Sequence, residues 1–359
     1  MSARAHSRTA AAIVLTAAVT AGAALLTGCG PTAANAAAPT SAAPSGVSSG
    51  LPSAVPSGVP STKSGAPSAT PSTTPRSTPS ASTPSPSAPA RNGTANSRLT
   101  ISNGTSRVLM NGTSVDFGTV VRDLAWSPNG SKAAFIDGAG NLDTANPDGS
   151  GRVVVAKAPS GQAWSHPTWQ VTAVDPVNHV PVKNNIFFAA SQGGVSRLEK
   201  VLATAVGGTP EALELVQDDG EENPAVLPLV GNSWPNGGGT IGSAVYANTN
   251  GNVYIRDENL RQSGAMVTQG SQPALAPDDE SVVFVRSVGG HDHIFRGSFD
   301  HTAKDLTPHA TTDYTEPAWS PDGKTLAVRT PNGVATLPAD GSAAPTVVST
   351  FPGLPAYRG

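Results

Sequence analysis

The chain has 359 residues, a formal net charge of −3 and only 13% charged residues, with 38 glycines and 33 prolines. Its 22 lysines and arginines are scattered, which argues against a nucleic-acid partner because phosphate neutralisation needs concentrated positive charge. The single cysteine excludes an intramolecular disulfide, so the stability of any folded part must come from packing.

Residues 1–28 are typical of a signal peptide. Two arginines without an acidic residue precede a stretch of apolar and small residues over 9–26. The stretch is followed by Thr27, Gly28 and Cys29, and residues 26–29, Leu-Thr-Gly-Cys, resemble the bacterial lipobox. The resemblance implies acylation of the Cys29 sulfur and cleavage after Gly28. An ordinary cleaved signal, or a membrane-spanning anchor with an incidental cysteine, is the alternative.

Residues 29–97 are predicted to be the lipidated cysteine and a disordered linker. The segment is almost entirely Ala, Pro, Ser, Thr and Gly and contains no aromatic residue. It cannot bury enough apolar surface to offset the entropy of ordering. Its many prolines favour extended conformations, which at about 3.1 Å per residue give a reach on the order of 200 Å.

Residues 98–359 have a different composition, with short runs of Val, Ile and Thr between Gly, Pro, Asn and Asp. No stretch shows a sustained helical period, so the segment is predicted to be all-β. Buried strands are predicted at 153–155, 186–189 and 282–285, and tight turns at 129–130, 148–149 and 322–323.

An internal repeat predicts the architecture. Residues 124–130 read LAWSPNG and residues 317–323 read PAWSPDG, and weaker copies occur at 167–169, 224–226 and 273–279. A period of about 40–45 residues indicates four-stranded propeller blades. The repeated position falls at residues 126, 169, 226, 275 and 319, and three of these are tryptophan: Trp126, Trp169 and Trp319.

Fragments at both ends of this segment suggest one more blade. Residues 99–110 look like an outer hairpin, and residues 354–357 look like the start of an inner strand, with Tyr357 in the tryptophan position. A ring whose last blade is shared between the two termini accounts for both fragments. We therefore predict six blades of mostly four strands, with five blades as the alternative.

The Trp-Ser-Pro-Asn/Asp-Gly strings resemble the repeat of TolB-type β-propellers, a WD-repeat-like family, and of propeller domains in prolyl-oligopeptidase-like proteins. The resemblance covers residues 98–359 and implies structural roles: packing between blades for the three tryptophans, and a turn for Asp322 and Gly323.

TolB works with the Tol-Pal system of bacteria with two membranes. The Ala-, Gly- and Pro-rich style here looks actinobacterial, and such cells commonly lack those partners. Propeller lipoproteins that associate with a sensor kinase are a second precedent.

Catalytic motifs are missing from the sequence. Residues 98–359 contain no Gly-x-Ser-x-Gly nucleophile elbow and leave no room for a hydrolase domain, so we expect no enzymatic activity. His166 and His179 are isolated and are interpreted as structural. The loop at 174–183 is long enough to touch a partner.

Two segments could bind metal ions. His291 and His293 lie on one face of a predicted strand, as two ligands would, but a polar turn is the favoured interpretation. The acidic run at 218–223 could offer oxygen ligands to Ca²⁺ but lacks the spacing of a known calcium loop. We therefore predict no cofactor and no metal.

These features together predict an extracytoplasmic lipoprotein anchored in the lipid bilayer, at the outer face of the cell membrane, through acylated Cys29. Its propeller is expected to be a protein-binding or scaffolding module with an envelope protein as partner. The alternative is a propeller-fold enzyme acting on envelope or extracellular carbohydrate. That alternative requires acidic, histidine or tyrosine side chains that converge in the central channel.

Overall fold

A computed structural model describes residues 91–173, 182–215, 227–238, 241–257 and 264–359. These residues form 24 β-strands in six four-stranded sheets, and all neighbouring strands within a sheet are antiparallel. Each sheet is one blade of a propeller. The six-bladed, all-β prediction is confirmed, and the five-bladed alternative is wrong.

The strands follow each other blade by blade. Blade 6 takes its three outer strands from the start of the domain: β1 (Leu99–Ser102), β2 (Arg107–Met110) and β3 (Thr113–Asp116). Blade 1 consists of β4 (Arg122–Trp126), β5 (Ala133–Ile136), β6 (Leu142–Ala145) and β7 (Val153–Ala156). Blade 2 consists of β8 (Gln162–Thr172), β9 (Lys183–Gln192), β10 (Val195–Leu202) and β11 (Glu211–Ala212).

The remaining blades repeat this order from the innermost strand outwards. Blade 3 consists of β12 (Asn232–Gly237), β13 (Ala244–Asn248), β14 (Asn252–Arg256) and β15 (Gly264–Gln269). Blade 4 consists of β16 (Ser271–Leu275), β17 (Ser281–Val288), β18 (His291–Ser298) and β19 (Ala303–Asp305). Blade 5 consists of β20 (Thr315–Trp319), β21 (Thr325–Thr330), β22 (Gly333–Pro338) and β23 (Thr346–Ser349), and β24 (Leu354–Tyr357) returns to blade 6.

The ring is closed by pairing between the two ends of the domain. Strand β24 is the innermost strand of blade 6 and pairs with β1, with Leu99 opposite Tyr357. The Thr100 hydroxyl also donates to the Ala356 carbonyl oxygen at 2.9 Å. The predicted closure by both termini is confirmed, and it covers a strand edge that would otherwise be open to other chains.

The core lies between the blades. All four residues of β5 and all four of β6 are buried, because both faces of a blade pack against neighbours. Strands buried on both faces read as continuous apolar runs rather than alternating ones. This is why the middle strands were recognisable in the sequence as short apolar runs.

The position predicted for the third repeat from the sequence is wrong. Its predicted copy, 224–226, does not start the blade, whose innermost strand β12 begins at Asn232, and residue 226 itself lies outside the described residues. The residue equivalent to the tryptophans is Gly237. A Cβ atom there would lie 2.5 Å from the carbonyl oxygen of Trp169, so the neighbouring blade leaves no room for a side chain.

The signal peptide, Cys29, most of the linker, residues 174–181 and the acidic run lie outside the described residues. Residues 91–97, which the composition assigns to the linker, contact the propeller. The Arg91 carbonyl oxygen accepts from the Thr350 amide at 3.2 Å, and the Thr94 hydroxyl accepts from the Gly112 amide at 2.9 Å. Across the part of the chain that the structure describes, no helix has the length and apolarity needed to cross a membrane.

Candidate functional site

The six innermost strands surround a central channel of about 400 Å³. Each of these strands is the inner edge of a sheet, so its backbone donors would face the channel. Proline removes such a donor and is accepted at sheet edges. Five of the six strands carry a proline at the equivalent position: Pro167, Pro235, Pro273, Pro317 and Pro355.

One end of the channel is built from β-bulges. The innermost strands of blades 1 to 5 all have a register shift at the same place. The bulged residue in each has a positive φ of 48–54°, a conformation unfavourable for residues other than glycine. We call these residues the mouth ring: Asp123, His166, Trp234, Gln272 and Glu316.

Two mouth-ring side chains link neighbouring blades. The Asp123 Oδ2 atom accepts a hydrogen bond from the His166 amide at 3.1 Å. The Gln272 Oε1 atom accepts from the Glu316 amide at 2.7 Å. Polar side chains at these two bulges therefore satisfy backbone donors of the next blade.

His166 occupies an aromatic corner of the mouth ring. Its ring lies against that of Trp234, with the ring centroids 3.7 Å apart. Its Nδ1 atom is buried, is 4.0 Å from Asp123 Oδ2 and has no hydrogen-bond partner among the described residues. Burial lowers the pKa of His166, against the opposing effect of the Asp123 and Glu316 carboxylates. The imidazole is therefore neutral at pH 7.

The two carboxylates of the mouth ring differ in whether a nearby cation balances their negative charge. Glu316 is held by Arg329 of β21, whose Nη1 atom lies 3.2 and 3.1 Å from the two carboxylate oxygens. Asp123 has no lysine or arginine within ion-pair distance in the described ranges. The Asp123 side chain is 28% exposed, so its charge is accessible from the channel.

The other end of the innermost strands carries the repeated tryptophans. Trp126, Trp169 and Trp319 are each at most 9% exposed. Each donates its indole N–H to the preceding blade: to the Thr100 hydroxyl at 2.9 Å, the Ala125 carbonyl at 3.2 Å and the Ala274 carbonyl at 3.0 Å. Their contacts are those of residues that hold adjacent blades together.

Asp322 and Gly323 form the turn between β20 and β21. The Asp322 Oδ1 atom accepts from the Ser320 hydroxyl at 2.7 Å and from the Lys324 amide at 3.2 Å. These two bonds lower the pKa of Asp322. Gly323 adopts a φ of +68°, which glycine accepts at little cost. Neither residue contacts the mouth ring through a described hydrogen bond.

The two histidines considered as metal ligands contact separate carboxylates. His291 Nδ1 lies 3.2 Å from Asp313 Oδ1, and His293 Nδ1 lies 2.9 Å from Asp305 Oδ2. Where the structure is described, it contains no group of three or more His, Cys, Asp or Glu side chains that could share a metal ion. The contacts join β18 to β19 and to the loop that follows.

No motif in the sequence marks the mouth ring as a functional site. Its members share a backbone conformation but not a residue type, so no repeated letter marks them. A weaker signal was present, because four of them directly precede a proline: His166, Trp234, Gln272 and Glu316. Gly28 and Cys29 lie outside the described residues, so the structure does not place the predicted acylation site.

No protein-family model matches this chain, and a comparison with curated proteins gives no match. Solved structures do resemble it. TolB from Acinetobacter baumannii is 15% identical with a TM-score of 0.49, and the match covers 72% of this chain and 65% of that protein. A putative TolB from Agrobacterium tumefaciens is 18% identical with a TM-score of 0.47, covering 71% and 89%. An oligogalacturonate lyase in complex with manganese is 10% identical with a TM-score of 0.43, covering 68% and 70%. The six-bladed architecture rests on the strand pairings described above.

Proposed function

We propose that this chain is a membrane-tethered extracytoplasmic lipoprotein whose propeller binds a segment of another envelope protein at the mouth ring. The observation that carries the proposal is the central channel of about 400 Å³, with a proline-rich wall and a polar mouth. Binding clefts commonly have volumes of about 300–1,000 Å³, with mostly apolar walls and a few placed polar groups.

Binding fits the mouth ring better than catalysis does. The Asp123 and Gln272 side chains already accept backbone hydrogen bonds, and Glu316 is held by Arg329. His166 Nδ1 and Asp123 Oδ2 are 4.0 Å apart, which is beyond hydrogen-bond distance. An oriented acid–base pair would require a hydrogen bond between them.

The sequence supports the choice of partner. The lipobox predicts an anchor at Cys29, and the proline-rich linker predicts a reach on the order of 200 Å. A propeller on such a tether searches the envelope close to the membrane. The similar solved structures include both TolB proteins and a lyase, so the fold alone does not choose between binding and catalysis.

Site-specific photo-crosslinking of the full chain in its membrane tests the binding site. A benzoylphenylalanine at Trp234 places the crosslinker in the mouth ring, and one at Phe299 serves as a matched control. Phe299 is 37% exposed in the outer hairpin of blade 4. We expect a discrete protein adduct from position 234 and none from position 299. Equal capture at both positions, or capture of this chain alone, would contradict the proposal.

Fatty-acid labelling tests the tether separately. Cys29→Ser removes the thiol that would be acylated, so a radiolabelled fatty acid that marks the native protein should not mark the variant. Thr27→Ser is a matched control that leaves the cysteine in place and should keep the label. A native protein that takes up no label would contradict the lipid anchor.

One observation favours the enzymatic alternative: a histidine and two carboxylates line the channel at the mouth ring. Incubation of the purified protein with a panel of acidic and neutral polysaccharides tests it, with new reducing ends and unsaturated products as readouts. Binding alone predicts no turnover. Turnover that is lost in His166→Gln but kept in His309→Gln would favour the enzyme.

A further inference from the structure

The ionisable groups that line the channel have one sign of charge. Of the described lining residues, Asp123 and Glu316 carry carboxylates, His166 is neutral at pH 7, and none is lysine or arginine. A cleft lined by one sign of charge and by low-dielectric walls concentrates its field inside. The field at this mouth is negative.

Asp123 contributes to that field without a lysine or arginine at ion-pair distance among the described residues. Arg329 compensates Glu316 from β21 and is not among the residues that line the channel. Asp123 has only the neutral His166 beside it within ion-pair distance. One carboxylate oxygen receives the His166 amide, which leaves the other available to a ligand.

The ring pair next to Asp123 adds a flat aromatic surface. The His166 and Trp234 rings are 3.7 Å apart between centroids, and Trp234 lines the mouth. An organic cation gains from an aromatic face as well as from a carboxylate, and tryptophan provides the best such face. The apolar stem of a lysine or arginine side chain can pack against the same surface.

A metal ion fits these groups poorly. Calcium takes six to eight oxygen ligands, whereas the mouth offers one uncommitted carboxylate oxygen, that of Asp123. The described residues contain no group of three potential ligands at this position or elsewhere. An ammonium or guanidinium group needs only one or two acceptors.

This inference rests on the proposed function: we propose that the mouth ring binds a lysine or arginine side chain in an extended segment of the partner protein. The Asp123 carboxylate receives the cation, and the paired rings of His166 and Trp234 contact its stem. The channel wall of prolines and alanines contacts the flanking residues.

Selection from a randomised heptapeptide library on phage tests the proposal without a known partner. The bait is the full chain in detergent, compared with Asp123→Asn, which keeps an oxygen for the His166 amide. Asp300→Asn is the matched control, because Asp300 lies in the turn between β18 and β19, with its side chain bonded to Thr302 and Ser298. We expect lysine or arginine at one fixed position in peptides selected by the native chain and by Asp300→Asn.

Calorimetry then measures the contribution of the charge. Replacing the selected lysine by norleucine, or the arginine by citrulline, should weaken binding about tenfold to the native chain and have little effect on binding to Asp123→Asn. The advantage of the charged peptide should shrink as salt concentration rises, since screening weakens a partly exposed pair.

Three results would overturn the proposal. Selected peptides without a basic residue would show that the mouth does not recognise a cation. Equal affinity of the charged and neutral peptides would show the same. Calcium chloride that binds alone, and loses its affinity in Asp123→Asn without any basic peptide being selected, would assign the carboxylate to a metal. The first two results leave crosslinking at position 234 as an independent test of protein binding.

Discussion

The two ends of the innermost strands repeat in different ways. At one end the residue type recurs, as in Trp126, Trp169 and Trp319, and each tryptophan bonds to the preceding blade. At the mouth the backbone conformation recurs, with φ of 48–54° in five blades, while the side chains all differ. Recurrence of a residue type marks a packing requirement that these three blade interfaces share. Recurrence of a conformation with unlike side chains marks a scaffold on which specificity is placed.

The largest expected effect comes from opening the ring. Deletion of residues 354–359 removes β24 and leaves the inner edge of β1 unpaired. We expect loss of a single cooperative unfolding transition and increased aggregation, since an exposed edge pairs with other chains. Calorimetry and light scattering measure both, with Tyr357→Phe as a control that retains the backbone pairing. A truncated protein that melts like the full chain would contradict closure by β24.

The next effect separates the two kinds of tryptophan. Trp319→Ala should lower the free energy of unfolding by about 3–5 kcal/mol, as expected for a buried aromatic truncated to alanine. Trp234→Ala should cost about 1 kcal/mol, the value of an aromatic pair at a partly exposed site. Denaturant unfolding of both variants measures the difference. Equal losses of unfolding free energy would mean that Trp234 contributes as much to stability as Trp319, which would contradict a binding role for the mouth ring.

An effect smaller than that of Trp319→Ala is expected from a buried carboxylate outside the mouth ring. Asp143 of β6 is fully buried and bonds to Arg152 at 3.1 Å. Burial, helped by Asp137 and opposed by Arg152, raises the pKa of Asp143 to about 6 from an ordinary value of 3.8. The folded state therefore holds this proton more tightly than the unfolded state, so its contribution to stability falls as pH rises from about 4 to about 6.

Asp143→Asn should remove that dependence. The native chain should lose about 2–3 kcal/mol relative to the variant between pH 4 and pH 7, since one pKa unit corresponds to 1.36 kcal/mol. Denaturant unfolding at four pH values measures the difference between the two proteins. A flat difference for Asp143→Asn would contradict the raised pKa.

The sequence was sufficient to predict the architecture where packing repeats the same residue in several blades. Trp126 and Trp319 with their Ser-Pro-Asn/Asp-Gly turns indicated the blade, and fragments such as residues 99–101 and 354–357 indicated the closure. Blade 3 was misplaced because its tryptophan position is Gly237, where the Trp169 carbonyl oxygen occupies the space of a side chain. A search for repeats compares residue types, so it misses a position such as Gly237, where the fold requires that no side chain be present.

The candidate site was much less predictable. His166 and Asp123 are 43 residues apart in the chain, and their contact arises from the adjacency of two blades. Trp234 was one of the two tryptophans outside the repeat, and nothing near it in the sequence indicates that it meets His166. Bulges at five equivalent positions bring these side chains together. Such bulges depend on the curvature of the assembled ring, which local sequence does not encode.

The pairing of β1 with β24 also sets an order of events during synthesis. The Thr100 hydroxyl bonds to a carbonyl 256 residues later, so the first strand to emerge waits for almost the whole domain before it gains its inner neighbour. Closing so long a loop is entropically costly and slow. Until that step the nascent ring has an open edge, which makes the late intermediate the stage at which a chaperone or protease has most to recognise.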